Sequence, residues 1–214
     1  MRFAGLLALA VLATSCTSEP APTPSSNYFC GMEKGSDGEK AVQRTLRSEQ
    51  FITNFYIPTE KLVQRLRTGL REMKPGGHTP SQYTCSYKPQ PKEDTKGVAV
   101  EFSWTSPTDP GWTRVPAEEI TRYDVNGVRV ESTYWLSKLF VTCRLPGELD
   151  DASRKAVFRA ELSNTLNSER RDDAEAKQRQ IELLYILAGR ATDALGCAGD
   201  PLKGTPVVKP LPTP

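Results

Sequence analysis

Histidine is almost absent from this sequence: His78 is the only one in 214 residues. A serine-type triad needs a histidine base, and this one lies in Pro75-Gly-Gly-His-Thr-Pro80, with no Gly-x-Ser-x-Gly elbow elsewhere. A turn residue facing water is the simpler role. A histidine-based metal cluster is excluded as well. The phosphate-cradling patterns Gly-x-x-x-x-Gly-Lys and Gly-x-Gly-x-x-Gly are missing. Adjacent acids (Glu118-Glu119, Asp150-Asp151, Asp172-Asp173) are poor acid–base pairs, because neighbours on a strand point to opposite faces and acids at helix starts offset the dipole. No catalytic residue, metal or cofactor is therefore expected. Charge of one sign is not in excess either: a net charge of +2 offers no global attraction for nucleic acid.

Long apolar runs are also lacking. A membrane span needs roughly 20 apolar residues, and the best internal stretch, Ile181 to Ala188, is interrupted by Glu182. The short run that does occur is N-terminal: Met1-Arg2-Phe3, apolar residues Ala4 to Ala13, then Thr14-Ser15-Cys16. This is the charged, apolar, small-residue order of a secretory signal over residues 1–15. Leu12-Ala13-Thr14-Ser15-Cys16 resembles a lipoprotein box, with Ala13 where leucine is usual. The expectation is cleavage before Cys16, a diacylglyceryl group on that cysteine, and anchoring at the extracytoplasmic face of the membrane, where two acyl chains suffice. The alternative is a plainly secreted protein in which Cys16 is incidental.

Four further cysteines, Cys30, Cys85, Cys143 and Cys197, make an even set in a chain expected to fold where disulfides persist. Zinc sites use close pairs such as Cys-x-x-Cys, and these cysteines are widely separated. Two disulfides are expected, with three pairings open. Cys85 and Cys143 both lie in strand-like segments, which favours Cys85 with Cys143 and hence Cys30 with Cys197.

The composition, 37% hydrophobic and 25% charged, suits one globular domain with a lean core. Residues 16–29 read as a lipidated cysteine and polar, proline-rich tether, 30–198 as the single domain, and 199–214, with five prolines, as a solvated tail. Ser36-Asp-Gly-Glu39 predicts a capped helix to about Ser48. A second helix is predicted from Pro58 or Thr59 to Met73, with Leu62, Val63, Leu66, Leu70 and Met73 on one stripe. Strand periodicity follows at Gln82 to Tyr87, Gly97 to Trp104, Ile120 to Val125, Val128 to Trp135 and Lys138 to Arg144, with Asn126-Gly127 as a hairpin turn. Lys155 to Asn167 fits both helix and strand; its polar alternation tips it towards strand. Asp172 to Leu195 reads as the strongest helix, closed by Gly196.

Two features are candidates for binding. On the second helix Lys61, Arg65, Arg67, Arg71 and Lys74 flank the apolar stripe, a pattern that can lie on anionic lipid. Among the aromatics, Trp104 and Trp135 fall in strands, while Trp112 sits in a proline-containing loop; Trp112 and Trp135 are the candidate contacts for an apolar ligand. The predicted fold is α+β: an antiparallel sheet of about five or six strands, two N-terminal helices and a long C-terminal helix packed on it, with two disulfides. Cys30-Gly31 after a proline-rich tether, Cys85 and Cys143 in the strand region, and the ending Leu187-Ala-Gly-Arg-Ala-Thr-Asp-Ala-Leu-Gly-Cys197 resemble small actinobacterial cell-surface lipoproteins of unknown function. The resemblance implies surface lipidation and two disulfides, and carries no catalytic residue. The functional expectation is a non-enzymatic binding or interaction module of the cell envelope, whose partner is an envelope protein or an apolar ligand and whose membrane contact runs through Cys16. The alternatives are a carrier or sensor of an apolar ligand and a carboxylate-dependent envelope hydrolase.

Overall fold

A computed structural model of the chain describes residues 27–91, 96–109, 112, 115–166 and 173–212. Cys16 and the predicted signal lie outside the described residues. The helices are α1 (Asp37–Leu46), α2 (Thr59–Glu72), α3 (Asp150–Arg154) and α4 (Ala174–Leu195). The strands are β1 (Phe51–Phe55), β2 (Gln82–Pro89), β3 (Val98–Thr105), β4 (Thr121–Val125), β5 (Val128–Ser132), β6 (Leu136–Val141), β7 (Val157–Asn164) and β8 (Val208–Pro210). They form one sheet in the order β1-β2-β3-β7-β6-β5-β4-β8, and every neighbouring pair is antiparallel.

The α+β class, antiparallel sheet, long closing helix and two disulfides agree with the sequence reading. The strand count does not: the sheet has eight strands. Nor do two helices lead the chain as a pair, because β1 runs between α1 and α2. Within the ambiguous stretch Lys155 to Asn167, Val157–Asn164 form a strand, since Phe158, Ala160 and Leu162 all face the core while Arg159 and Glu161 face the other way; Asn167 lies outside the described residues.

Local signals explain most boundaries. Ser36 Oγ accepts the Glu39 N–H at 3.1 Å, and Glu39 Oε2 accepts the Gly35 N–H at 2.6 Å, so donors at the start of α1 are satisfied reciprocally. Asp173 does the same for α4 by accepting the Ala176 N–H at 3.0 Å, a bond that holds its carboxyl below the usual range. Gly196 ends α4 in the left-handed conformation, φ +76°. The Asn126-Gly127 turn takes positive φ at both residues, as a tight hairpin requires.

Helices cover one face only. Leu62, Leu66 and Leu70 of α2, with Leu184, Ala188 and Leu195 of α4, pack on a core built from Phe102, Trp104, Phe158 and Leu162. Phe102 and Phe158 stack at 5.5 Å, and Trp104 meets Phe158 edge-on while its indole N–H donates to the Leu66 carbonyl at 3.0 Å.

The predicted cysteine pairing is corrected. The bridges are Cys30–Cys85 and Cys143–Cys197, with Cα separations of 6.5 and 5.0 Å. The strand order explains why: Cys85 is on β2, Cys143 follows β6, and β3 and β7 run between them. At about 4.8 Å per strand that gap is roughly twice what a disulfide can cross.

The proline-rich tail does not simply trail into solvent. Asn126 Nδ2 donates to the Lys203 and Thr205 carbonyls at 3.3 and 3.0 Å, and its Oδ1 accepts the Val207 N–H at 3.1 Å. Held there, residues 208–210 pair with β4.

Candidate functional site

The helix-free face of the sheet carries the most unusual chemistry of the described residues. Across it the ladder registers line up one side chain from each of six strands: Tyr83, Glu101, Glu161, Lys138, Glu131 and Arg122. An antiparallel sheet that faces water on one side ordinarily shows solvated polar groups there. Here Glu131 and Lys138 are buried, although both are charged types.

Pairing makes that burial tolerable. Glu131 receives the Trp112 indole N–H at 2.6 Å and lies 3.7 and 3.5 Å from Arg122 and Arg129. The Lys138 ammonium sits 3.7 Å from Glu161 and 4.6 Å from the centre of the Trp112 ring, a cation–π contact. Arg159, from the adjoining row, reaches Glu161 at 2.8 Å, Ser103 at 3.1 Å and Asp109 at 3.6 Å. Asp109 also accepts a hydrogen bond from Thr105. Buried charges are costly unless paired in this way.

One pairing is unfavourable. Glu101 and Glu161 are directly opposite on β3 and β7, where like charges repel. Burial first, and the Glu161 charge second, raise the Glu101 carboxyl above its ordinary range, with a Ser81 hydrogen bond opposing. Burial pulls Lys138 below the usual lysine range against the attraction of Glu161.

These directions set a pH dependence. A carboxyl raised in the folded state adds nothing adverse below its unfolded pKa and costs stability as pH climbs through and above that value. Glu101→Gln removes the charge and hence that cost. The expected result is a melting temperature that exceeds the parent protein's at pH 7, with a gap that closes as pH falls below 4.5, the ordinary pKa of a glutamate. Thermal melts of both proteins from pH 4 to pH 7 measure it.

At the β2 end of the row the surface becomes aromatic. The Tyr83 ring lies 4.6 Å from Tyr56, and the two are 43% and 52% exposed. The Tyr56 hydroxyl is 3.0 Å from Ser86 Oγ. Burial and the hydrogen bond with Tyr56 raise the Tyr83 phenol.

Trp112 thus belongs to a polar network. Trp135 lies in the turn between β5 and β6, 37% exposed, and not in a strand core. Neither lines either of two depressions on the surface. One depression is bordered by Asn27, Phe29, Pro58 and Val63 beside α2, the other by Thr45, Asn164 and Arg179 near the start of α4.

The basic residues of α2 divide. Lys61 and Lys74 are exposed. Arg65 contacts Gln82 at 3.4 Å, Arg71 lies 3.8 Å from Glu148, and Arg67 donates to the Leu195 carbonyl at 2.9 Å, closing the C-terminus of α4. Arg67 thus caps α4 while remaining exposed, as Arg65 and Arg71 are. The acids Asp150 and Asp151 pair with nearby cations of α3 and its flanks, Glu118 and Glu119 lie in a single 3-10 turn, and Asp172 is outside the described residues.

Sequence reasoning missed Tyr56, Glu101, Glu131, Lys138, Arg159 and Glu161, and placed Tyr83 only among aromatics that could line an apolar pocket. Their signal was present only as the polar half of strand alternation, which does not say which polar residues meet. Among the described residues no group of three or more His, Cys, Asp or Glu is placed to hold a metal ion, and no helix is long and apolar enough to cross a membrane. The chain matches no protein-family model, and no curated protein or solved structure is significantly similar to it.

Proposed function

We propose that this protein is a lipoprotein of the cell envelope, anchored through Cys16, and that it acts as a non-enzymatic binding module through the helix-free face of its sheet. The observation that carries this reading is the row from Tyr83 to Arg122, half-covered by Trp112 and flanked by the exposed Tyr56–Tyr83 pair. A surface of that kind combines aromatic area with fixed charges of both signs, so it selects a partner by charge pattern as well as by contact. The two disulfides are compatible with folding outside the cytoplasm.

A carboxylate-dependent hydrolase is favoured by a single observation, the opposed Glu101 and Glu161, with the Glu101 carboxyl raised by burial and by the neighbouring Glu161 charge. Against it, both Glu161 oxygens are engaged, Oε1 by Arg159 and Oε2 by Lys138. An apolar-ligand carrier has less support, because Trp112 is committed to Glu131 and Lys138.

The anchor and the surface are tested separately. Palmitate labelling should mark the parent protein and not Cys16→Ser, which should leave the membrane fraction; a variant that stays there unlabelled would overturn the anchor. For the surface, a photo-crosslinking amino acid at Tyr83 should capture a partner in intact cells, and Lys138→Glu should cut that yield by roughly tenfold, the effect of about 1.4 kcal/mol. Equal capture from position 61 on the helix side would refute the assignment of the surface.

A further inference from the structure

The two edges of the sheet are built differently. At the β8 edge the Leu211 N–H donates to the Arg122 carbonyl at 2.8 Å, and Lys209 is opposite Asp124. Backbone groups alternate in direction along a strand, so Lys209 and Leu211 point inwards while Pro210 and Pro212 point outwards. Proline has no N–H to offer a further strand. That edge is sealed.

Among the described residues the β1 edge lacks any such device. The Gln90 N–H donates to the Gln50 carbonyl and the Tyr56 N–H to the Thr84 carbonyl, both at 2.9 Å, which fixes the even residues of this segment as the ones bonded to β2. The N–H and C=O groups of Phe51, Thr53 and Phe55 therefore point away from the sheet, and among the described residues none of them has a backbone partner. Phe-Ile-Thr-Asn-Phe carries no lysine and no proline, and the bulge nearby is in β2, between Tyr83 and Cys85. Native proteins seldom leave such an edge bare.

We propose that this edge pairs with the same edge of a second copy of the chain, antiparallel about Thr53. The three residues whose backbone groups point outwards, Phe51, Thr53 and Phe55, read the same in both directions about Thr53. In this register the Thr53 backbones of the two copies exchange hydrogen bonds, and Phe51 meets the partner's Phe55 at both ends, two of the cross-strand combinations that stabilise antiparallel ladders. A twofold axis normal to the sheet keeps the helices of both copies on one side. The outer edges of the pair are then both β8 edges, sealed by proline, so the assembly closes at two copies instead of growing into a filament. It also sets two Tyr56–Tyr83 surfaces on the same face. Anchoring both copies to one membrane raises their effective concentration without new contacts, but the pairing does not depend on lipidation.

Sedimentation of the full chain as Cys16→Ser, from dilute solution to roughly 100 μM, below the millimolar effective concentrations that tethering supplies, should show mass rising from one copy to two and no further. Thr53→Pro removes only an outward N–H, and edge strands accept proline. It should leave the melting temperature within a few degrees and hold the protein monomeric, and Thr53→Lys, which puts two charges face to face, should do the same if the proline variant fails to fold. A parent protein that stays monomeric, larger oligomers, or lysine and proline variants that dimerise like the parent would each overturn the proposal. So would a monomer whose Thr53 amide is protected from hydrogen exchange, since the edge would then be covered from within the chain.

Discussion

A chain carrying Cys143→Ala and Cys197→Ala is expected to lose about 4 kcal/mol of folding stability, as is one carrying Cys30→Ala and Cys85→Ala. The bridges span 54 and 55 residues, and closing loops of that length restricts the unfolded chain by about that amount in the entropy model. Domains of this kind hold only about 5–15 kcal/mol in total, so removing both bridges should leave little folded protein. The two losses differ in where they act. Cys143–Cys197 ties the end of α4 to the segment after β6, where the Ala198 N–H also donates to the Arg144 carbonyl at 2.8 Å. Cys30–Cys85 ties the entering chain to β2, beside the hydrogen bond from the Tyr87 hydroxyl to the Cys30 carbonyl at 2.8 Å. Urea unfolding midpoints measure the cost. A non-reducing peptide map checks the premise, and a Cys85–Cys143 peptide would contradict the strand order itself.

Trp104→Ala should cost about 4 kcal/mol, in the range found when a buried large aromatic is cut to alanine. Trp104 is fully buried, touches Phe158 edge-on, and bonds through its indole to α2. Its removal leaves a cavity between that helix and β3, where collapse is resisted by neighbours that are themselves packed. Trp104→Phe keeps an aromatic ring and should lose less than half as much. Urea denaturation followed by far-ultraviolet circular dichroism gives both values, and the emission of the remaining tryptophans should shift red on average. A Trp104→Ala protein as stable as its parent would show that α2 is not fastened to the sheet as described.

Legibility in the sequence followed the range of the interaction. The helix α2 was readable because Leu62, Leu66 and Leu70 recur at the helical period, and the Asn126-Gly127 turn because few residues accept positive φ in succession. The strand β7 emerged from polar alternation against Arg159 and Glu161. β1 was missed because Phe-Ile-Thr-Asn-Phe is short, lies between two helices and has no clean alternation of polarity. β8 was missed because its prolines argue against a central strand; on an edge, with those prolines turned outwards, the objection disappears.

The charged row was illegible for another reason. Each member is an ordinary polar residue on the outer side of its own strand. Glu101 and Glu161 become neighbours only because β3 pairs with β7, and Trp112 meets Glu131 and Lys138 only because the tertiary fold brings it onto β5 and β6. Wrong pairing of the cysteines had the same origin, since it assumed that two strand-like segments were adjacent.

What the sequence determined by itself was the kind of each long element, the α+β class and a cysteine set suited to two bridges, because periodicity, capping and turn chemistry act within a few residues. The tertiary structure alone decided the order of the strands. From that order follow which cysteines meet, which charges are buried together and which edge is left open, since contact across a sheet depends on topology and register between segments far apart in the chain.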